Sequence, residues 1–299
     1  MTERAPYELR CGDCAKVMLE LEAGSVDMVL TSPPYDAIRQ YHGFTFDLNG
    51  VIEGIKHVLR PGGVCVWVVG DQMVKGSETG TSFKMALAFI EHGMLLHDTM
   101  IYRKLSPVPN VTNDKVRYHQ AFEYMFCFSK GKPTTFNPIM TECKYAGNEN
   151  PRATYRAHGK DKLVKRPKIV GSHKVADNIF GYHTGSTTTT TYRQAFEHPA
   201  VYPEKLARDQ IISWTDEGDV VLDPMCGSGT TIFCASVLGR KSIGIDISQR
   251  YINLTRQRLE EQPTPGWTSD GHERFGASDC SAAEASGGQM TLDFKDVGE

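Results

Sequence analysis

Apolar positions along the chain fall alternately into short continuous runs and into stripes at helical spacing, which is the grammar of a mostly parallel α/β sheet. Val26-Asp27-Met28-Val29-Leu30 and Val64-Cys65-Val66-Trp67-Val68-Val69 are β-branched runs of the kind buried on both faces, and both predict central strands. Shorter runs predict strands at Tyr7–Cys11, Met94–Tyr102, Phe122–Phe128, Asp219–Leu222 and Ser242–Ile245. Between them, the spacing predicts helices over Ala15–Leu21, Leu48–Leu59, Phe83–Glu91, Tyr202–Trp214, Ile232–Leu238 and Gln249–Glu261. Arg60-Pro61-Gly62-Gly63 reads as a helix stop.

Two strand-to-turn junctions carry candidate chemistry. The first, Thr31-Ser32-Pro33-Pro34-Tyr35, follows the central strand directly. Consecutive prolines fix their own φ and have no N–H, so the turn is stiff and its carbonyls are held in place. A Ser32 hydroxyl, the Pro33 carbonyl and the flat Tyr35 ring together could hold a planar molecule bearing an amino group, which describes a nucleobase. The second junction is Asp223-Pro224-Met225-Cys226-Gly227-Ser228-Gly229-Thr230-Thr231, opening into a helix. A glycine turn between strand and helix lets backbone approach a ligand, and Asp246, ending the next strand, is placed to accept from a ribose diol. Asp223 at a strand tip would repel phosphate but could pair with an ammonium, so a ligand with both a ribose and an amino acid, such as S-adenosylmethionine, fits better than a dinucleotide.

The chain is long enough, at 299 residues, for one large α/β domain with an insertion or two modest ones. Its net charge of −3 excludes a uniformly basic coat. Charge is uneven, however: residues 130–193 hold 12 Lys and Arg against 4 Asp and Glu, a local +8 that leaves −11 for the remainder. Tyr145, Tyr155, Tyr182 and Tyr192 and three histidines are interleaved there. A solvated, poorly ordered insertion is one reading; a module contacting phosphates and reading bases suits the mixture better, with Lys162, Lys165, Arg166 and Lys168 as its candidate DNA contacts. The eight cysteines include Cys11-Gly12-Asp13-Cys14, but with no second CxxC and no histidine pair at ligand spacing the expectation is reduced structural thiols and no metal. No apolar run reaches transmembrane length and the N-terminus lacks a signal peptide's hydrophobic region, so the expected location is the cytoplasm.

The two junctions together resemble the DNA amino-methyltransferases, which methylate the exocyclic nitrogen of cytosine or adenine. The order, catalytic turn first and cofactor turn last with a target-recognition region between, looks like the β class of that family. His198-Pro199-Ala200-Val201-Tyr202-Pro203-Glu204-Lys205-Leu206 is similar to the motif that shapes the family's cofactor pocket, and Gly12-Asp13-Cys14 to one whose acid lies by the cofactor's adenine. Met225 stands where the family usually has Phe. The resemblance covers roughly residues 7–261. It implies a Rossmann-like doubly wound sheet in permuted order: a catalytic half over 1–130, a target-recognition insertion over 131–197, a cofactor half over 198–261 and a flexible tail over 262–299. It also implies S-adenosylmethionine as cofactor, held by Asp13, His198, Asp223, Pro224, Gly227, Gly229, Thr230 and Asp246. Double-stranded DNA is the implied partner, with a base flipped onto Ser32, Pro33, Pro34 and Tyr35, and the class admits a homodimer. In the family, Ser before Pro-Pro is typical of N4-cytosine enzymes and Asp or Asn of N6-adenine enzymes, so Ser32 favours cytosine and adenine remains the alternative.

Protein-glutamine and RNA methyltransferases share Pro-Pro-Tyr turns but usually place the cofactor turn first and lack a long basic insertion. A silent DNA-binding regulator is disfavoured by the intact Ser32, Tyr35, Asp223 and Asp246. In the tail, Gln289-Met290-Thr291-Leu292-Asp293-Phe294 resembles the peptide by which bacterial polymerases and repair proteins bind the replication sliding clamp, with Gln289, Leu292 and Phe294 as its anchors, although so short a pattern arises by chance often enough that an inert tail is slightly favoured.

Overall fold

The computed structural model describes residues 4–34, 46–107, 117–150, 154–156, 163–165, 168–185, 189–198 and 200–265, with backbone alone at 150, 154–156 and 163–165. Eight strands form one sheet: β1 (Tyr7–Cys11), β2 (Val26–Thr31), β3 (Leu59–Val69), β4 (Leu95–Lys104), β5 (Phe122–Ser129), β6 (Ile179–Tyr182), β7 (Val220–Asp223) and β8 (Lys241–Asp246). In space they run β1-β8-β7-β2-β3-β5-β4-β6. Only β5 opposes its neighbours; the other pairings are parallel.

Six helices cover the sheet: α1 (Cys14–Glu20), α2 (Leu48–Val58), α3 (Thr81–Glu91), α4 (Glu204–Trp214), α5 (Thr230–Val237) and α6 (Gln249–Glu261). Alternation along β3 shows why both faces must be covered. Val64, Val66 and Val68 point into the core beneath α4, α5 and α6, while Cys65, Trp67 and Val69 point into the core beneath α1, α2 and α3. Every strand and helix expected from periodicity is present, with ends moved by at most two residues except at β3, which begins at Leu59, five residues ahead of Val64. α2 stops at Val58, short of the Pro-Gly-Gly signal, and no loop follows: β3 begins at once at Leu59 and runs through Pro61, Gly62 and Gly63.

The chain leaves β7 through α5 toward β8, and leaves β2 through α2 toward β3, in opposite directions across the sheet. Right-handed crossovers then put α5 and α2 on opposite faces and open a crevice beyond the carboxyl ends of β7 and β2, the switch point of a doubly wound sheet. The turn at Ser32 and the turn at Pro224 both lie there.

One strand of the eight-stranded sheet escaped the periodicity. Ile179–Tyr182 lies within the basic stretch 131–197, yet it pairs with β4 as the sheet's edge. Tyr182 is buried and donates to Asp209 Oδ2 at 3.1 Å, anchoring that edge to α4.

Candidate active site

The carboxyl ends of four adjacent strands, β1, β8, β7 and β2, carry the candidate residues, so strand order alone gathers positions more than 200 residues apart in the chain. At β2, Thr31 is fully buried and Ser32, Pro33 and Pro34 continue from it, with Pro33 buried and its two neighbours half-buried. Tyr35 lies outside the described residues.

Asp223, ending β7, is the junction between the two turns. Thr31 Oγ1 donates to its Oδ1 at 2.7 Å, Thr231 Oγ1 to its Oδ2 at 2.6 Å and Met225 N–H to Oδ1 at 3.1 Å. Tyr202 reaches Oδ2 at 3.4 Å and also bonds the Thr231 hydroxyl. Burial pushes the Asp223 carboxyl up to about 6, against the pull of the hydroxyl donors. Asp223 is 2% exposed and both its oxygens accept from these donors, so its carboxylate ties β2 to β7 and to the first turn of α5.

Gly227 and Gly229 hold the turn at φ +50° and +76°, values that side chains disfavour. A Cβ on Gly227 would also lie 2.8 Å from His198 Nε2, and one on Gly229 2.6 Å from Thr255 Cγ2. His198 therefore sits directly over the turn, its ring edge-on to Tyr251 at 4.6 Å and its Nδ1 within 3.2 Å of Ala200 N. Burial lowers its pKa, which favours the neutral ring.

Asp246, ending β8, accepts from Gly227 N–H at 3.0 Å through one oxygen and from Ser248 N–H at 2.8 Å through the other. Burial raises its pKa and these bonds oppose the rise. Each carboxylate oxygen has a second lone pair, so the group can still take a vicinal diol. Next to it, Gly12 N–H donates to the Asp246 carbonyl at 2.9 Å, and Asp13 caps α1 through Ala15 N–H at 3.0 Å. The donor set fits S-adenosylmethionine: an acid for the ribose, a second acid one strand away, and a glycine turn opening a helix.

Thr230 turns the other way from Thr231. Its hydroxyl accepts from Arg258 Nη1 at 2.9 Å, and the same nitrogen bonds the Ser228 carbonyl at 2.9 Å. Arg258 is fully buried; its Nη2 pairs with Glu204 Oε1 at 2.8 Å and with Thr190 Oγ1 at 3.1 Å, and its Nε with Gln262 Oε1 at 2.7 Å. This cluster supports the glycine turn from beneath. Thr31, Thr231 and Tyr202 stand inside the motifs, but neither they nor Arg258 were assigned a role, because partners such as Asp223 for Thr31 lie 192 residues away in the chain.

Two of the four basic candidates fall on short ribbons separate from the main sheet. Lys165 belongs to a ribbon, 154–156 paired with 163–165, and Lys168 is exposed on another, paired with Asn150. Lys162, Arg166, and the tail residues Gln289, Leu292 and Phe294 lie outside the described residues. Cys11 is exposed and Cys14 half-buried, with the Cys14 thiol pushed up to about 12 by burial and by Asp13. No group of three or more His, Cys, Asp or Glu suited to a metal occurs among the described residues, and no described helix is long and apolar enough to cross a membrane.

A doubly wound, mostly parallel sheet with a glycine turn at its switch point and an acid on the next strand defines a Rossmann-like methyltransferase. The chain belongs to the DNA methylase family of N6/N4 type, whose model matches residues 26–257. It is 45% identical over 241 residues, 79% of this chain and 89% of the relative, to the orphan methyltransferase M.BamHII of Bacillus amyloliquefaciens. It is 27% identical to the type II methyltransferase M.BglII of Bacillus subtilis, covering 84% of this chain and 68% of that one. Among solved structures, the cytosine-N4-specific PvuII DNA methyltransferase matches with a TM-score of 0.64 at 18% identity, over 87% of this chain and 90% of that one. TTHA0409 of Thermus thermophilus, solved with S-adenosyl-L-methionine, matches with a TM-score of 0.55 at 22% identity, over 87% and 97%. The recognition made on the two motifs, as a DNA amino-methyltransferase, stands.

Proposed function

We propose that this protein transfers a methyl group from S-adenosylmethionine to the exocyclic amino group of a base flipped out of duplex DNA, cytosine N4 before adenine N6, in the cytoplasm where that DNA lies. The observation that carries this is the Thr31–Asp223–Thr231 bridge, which ties the strand leading into Ser32 to the strand leading into the glycine turn. An acceptor held at Ser32 is thereby kept in register with a donor held at Gly227 and Gly229.

S-adenosylmethionine supplies an electrophilic methyl on a sulfonium. Asp246 and Asp13 hold its ribose and adenine end, and His198 closes over Gly227. Flipping costs a few kcal/mol, and Tyr35 offsets part of it by stacking on the extruded ring. An exocyclic amine is a poor nucleophile because its lone pair is delocalised into the ring. Ser32 Oγ and the Pro33 carbonyl each accept one N–H, so the nitrogen pyramidalises and its lone pair turns toward the methyl carbon; catalysis is by positioning and electrostatics. The bound sulfonium would supply the methyl, its S–C pair remaining with sulfur, and the amino nitrogen would release one proton to water. No cysteine is required as a nucleophile.

The support for cytosine is Ser32 before Pro33-Pro34. The test is to incubate the chain with duplex DNA and isotopically labelled S-adenosylmethionine, then digest to nucleosides and weigh them. N4-methylcytosine is expected; N6-methyladenine overturns the choice of base, and unlabelled DNA leaves a silent DNA-binding protein. Ser32→Ala is expected to lower kcat by about 10²-fold or more, the scale of a lost transition-state hydrogen bond, with S-adenosylmethionine affinity unchanged.

A further inference from the structure

Tyr202 stands at the entry to α4, four positions after His198 in the chain. It and its neighbour Val201 face different partners. Val201 packs against the cluster of Tyr192, Ala195 and Leu254, as does Tyr251, whose ring is the one that His198 meets edge-on. Tyr202 packs instead against the core beneath α4, α5 and α6. Two consecutive residues therefore join the side of the molecule that covers the glycine turn to the centre of the sheet.

Packing of the ring needs no hydroxyl, and a phenol hydroxyl in a protein interior is costly unless it is bonded. Its bonds have a direction. An ionised Asp223 can only accept, and each hydroxyl has one proton to give. Thr31 gives its proton to Oδ1 and Thr231 gives its own to Oδ2. The Tyr202 proton therefore goes to Thr231 Oγ1, with Asp223 Oδ2 at 3.4 Å behind it. Tyr202, Thr231, Asp223 and Thr31 form one hydrogen-bonded chain across the entry to α4, the start of α5, and the ends of β7 and β2, and members of such a chain polarise one another. Its far end, Thr31, is the residue before Ser32.

We propose that Tyr202 is a positioning residue for methyl transfer, coupling the segment beside His198 through Thr231 and Asp223 to Thr31, and so to the aim of Ser32. The proposal rests on the DNA-methyltransferase reading and adds to it a residue and a route between the two halves of the site. Tyr202→Phe keeps the ring and removes the link. Thr31→Val removes the other end, where Met225 N–H still holds Asp223 Oδ1 at 3.1 Å, and Thr31→Ser keeps the hydroxyl. The rise in Tm on adding S-adenosylmethionine reports the folding of each. Two quantities are measured on a duplex that the unaltered chain methylates. One is the single-turnover rate of transfer, with chain in excess and S-adenosylmethionine saturating; the other, free of turnover, is the tightening of duplex binding by S-adenosylhomocysteine.

In the unaltered chain, tightening of at least about fivefold is expected, the lower end of ordinary coupling between two sites, and in Tyr202→Phe less than about twofold. The transfer rate of Tyr202→Phe is expected to fall about tenfold, inside the roughly 10²-fold that a misplacement of about 1 Å can cost, with S-adenosylmethionine affinity unchanged. Thr31→Val is expected to behave alike and Thr31→Ser to keep the unaltered rate. The double variant of Tyr202→Phe with Thr31→Val is expected to be no slower than the slower single one, because both cut one chain. An unaltered rate or unaltered tightening in Tyr202→Phe overturns the proposal, as do losses that multiply in the double variant and an unaltered chain indifferent to S-adenosylhomocysteine. A Tyr202→Phe variant changed only in S-adenosylmethionine affinity, or one that loses the Tm rise, makes the tyrosine a pocket wall or a brace and also overturns it. Thr231→Val, the middle link, replaces Thr31→Val if that variant loses the rise. Failure of the methyltransferase reading shows differently, as no methyl transferred to any duplex by the unaltered chain.

Discussion

Asp223 concentrates the site's tension in one residue. Its carboxyl titrates near 6 in the fold because it is buried, and near 3.9 in an unfolded chain. The folded state therefore holds the extra proton between about pH 4 and pH 6, so stability from this group is present at the acid end and is lost as pH rises through that window. The loss is about 3 kcal/mol for a shift of this size. Asp223→Asn cannot ionise, and the Thr31 and Thr231 hydroxyls can rotate to suit an amide. Urea unfolding at pH 4.5 and pH 7 is expected to show the variant gaining on the unaltered chain by up to that amount as pH rises; an unchanged difference would remove the claim that an ionised Asp223 strains the fold. The same residue shows what a sequence conceals. Its place at a strand tip was legible from the run Asp219–Leu222 and the glycines behind it, and so was the choice of Asp246. Its hydroxyl donors were not, because a threonine acquires such a role only when the sheet brings β2 beside β7. Thr230 and Thr231 are indistinguishable by spacing, yet one faces Arg258 and the other Asp223.

Between elements, the Arg258–Glu204 pair joins α6 to α4 and braces the first turn of α5 through Ser228 and Thr230. A buried ion pair is weak proof of stability when both partners are present, but removing one leaves a charge in low dielectric, at about 3–5 kcal/mol. Arg258→Met is expected at the lower end of that range, because Gln262 Nε2 still donates to Glu204 Oε1 at 2.9 Å. The double variant with Glu204→Gln is expected to cost less than the single changes summed, as urea midpoints will report. Calorimetric titration is expected to show weaker S-adenosylmethionine binding by Arg258→Met, since the Ser228 carbonyl loses its donor; unaltered affinity would leave the cluster a purely structural brace. Elements were legible in proportion to their burial. β2 and β3 declare themselves as apolar runs because both faces are covered, whereas β6 has four residues, one of them fully buried, inside a polar and basic stretch. Its partner β4 is what makes it a strand. The short strands Met140–Glu142 and His173–Val175 were not legible, since their residues face water and carry no period.

At the scale of the molecule, the chain's order is less constrained than its sheet. Residues 1–130 and 198–261 meet along two parallel pairings, β7 with β2, where Val221 lies beside Met28 and Leu222 beside Val29, and β1 with β8. The ends of the described chain also meet. Arg4 donates to the carbonyls of Leu259 and Gln262 and, at 3.2 Å, to Thr264 Oγ1, while Ala5 N–H reaches the Ser236 carbonyl at 3.1 Å. A short Gly-Ser linker from Thr264 to Arg4 would therefore close the chain with little loop entropy. The exposed turn at Gly131, after β5, is a place to reopen it, because no layer of either core passes through those residues. The permuted chain would carry the cofactor turn ahead of the catalytic one while keeping every sheet neighbour. If strand neighbours and not chain order build the switch point, this permutant will unfold in one cooperative transition and its Tm will still rise on adding S-adenosylmethionine. Two separate transitions, or a Tm blind to the cofactor, would mean that the order Ser32 before Gly227 is itself needed to assemble the crevice.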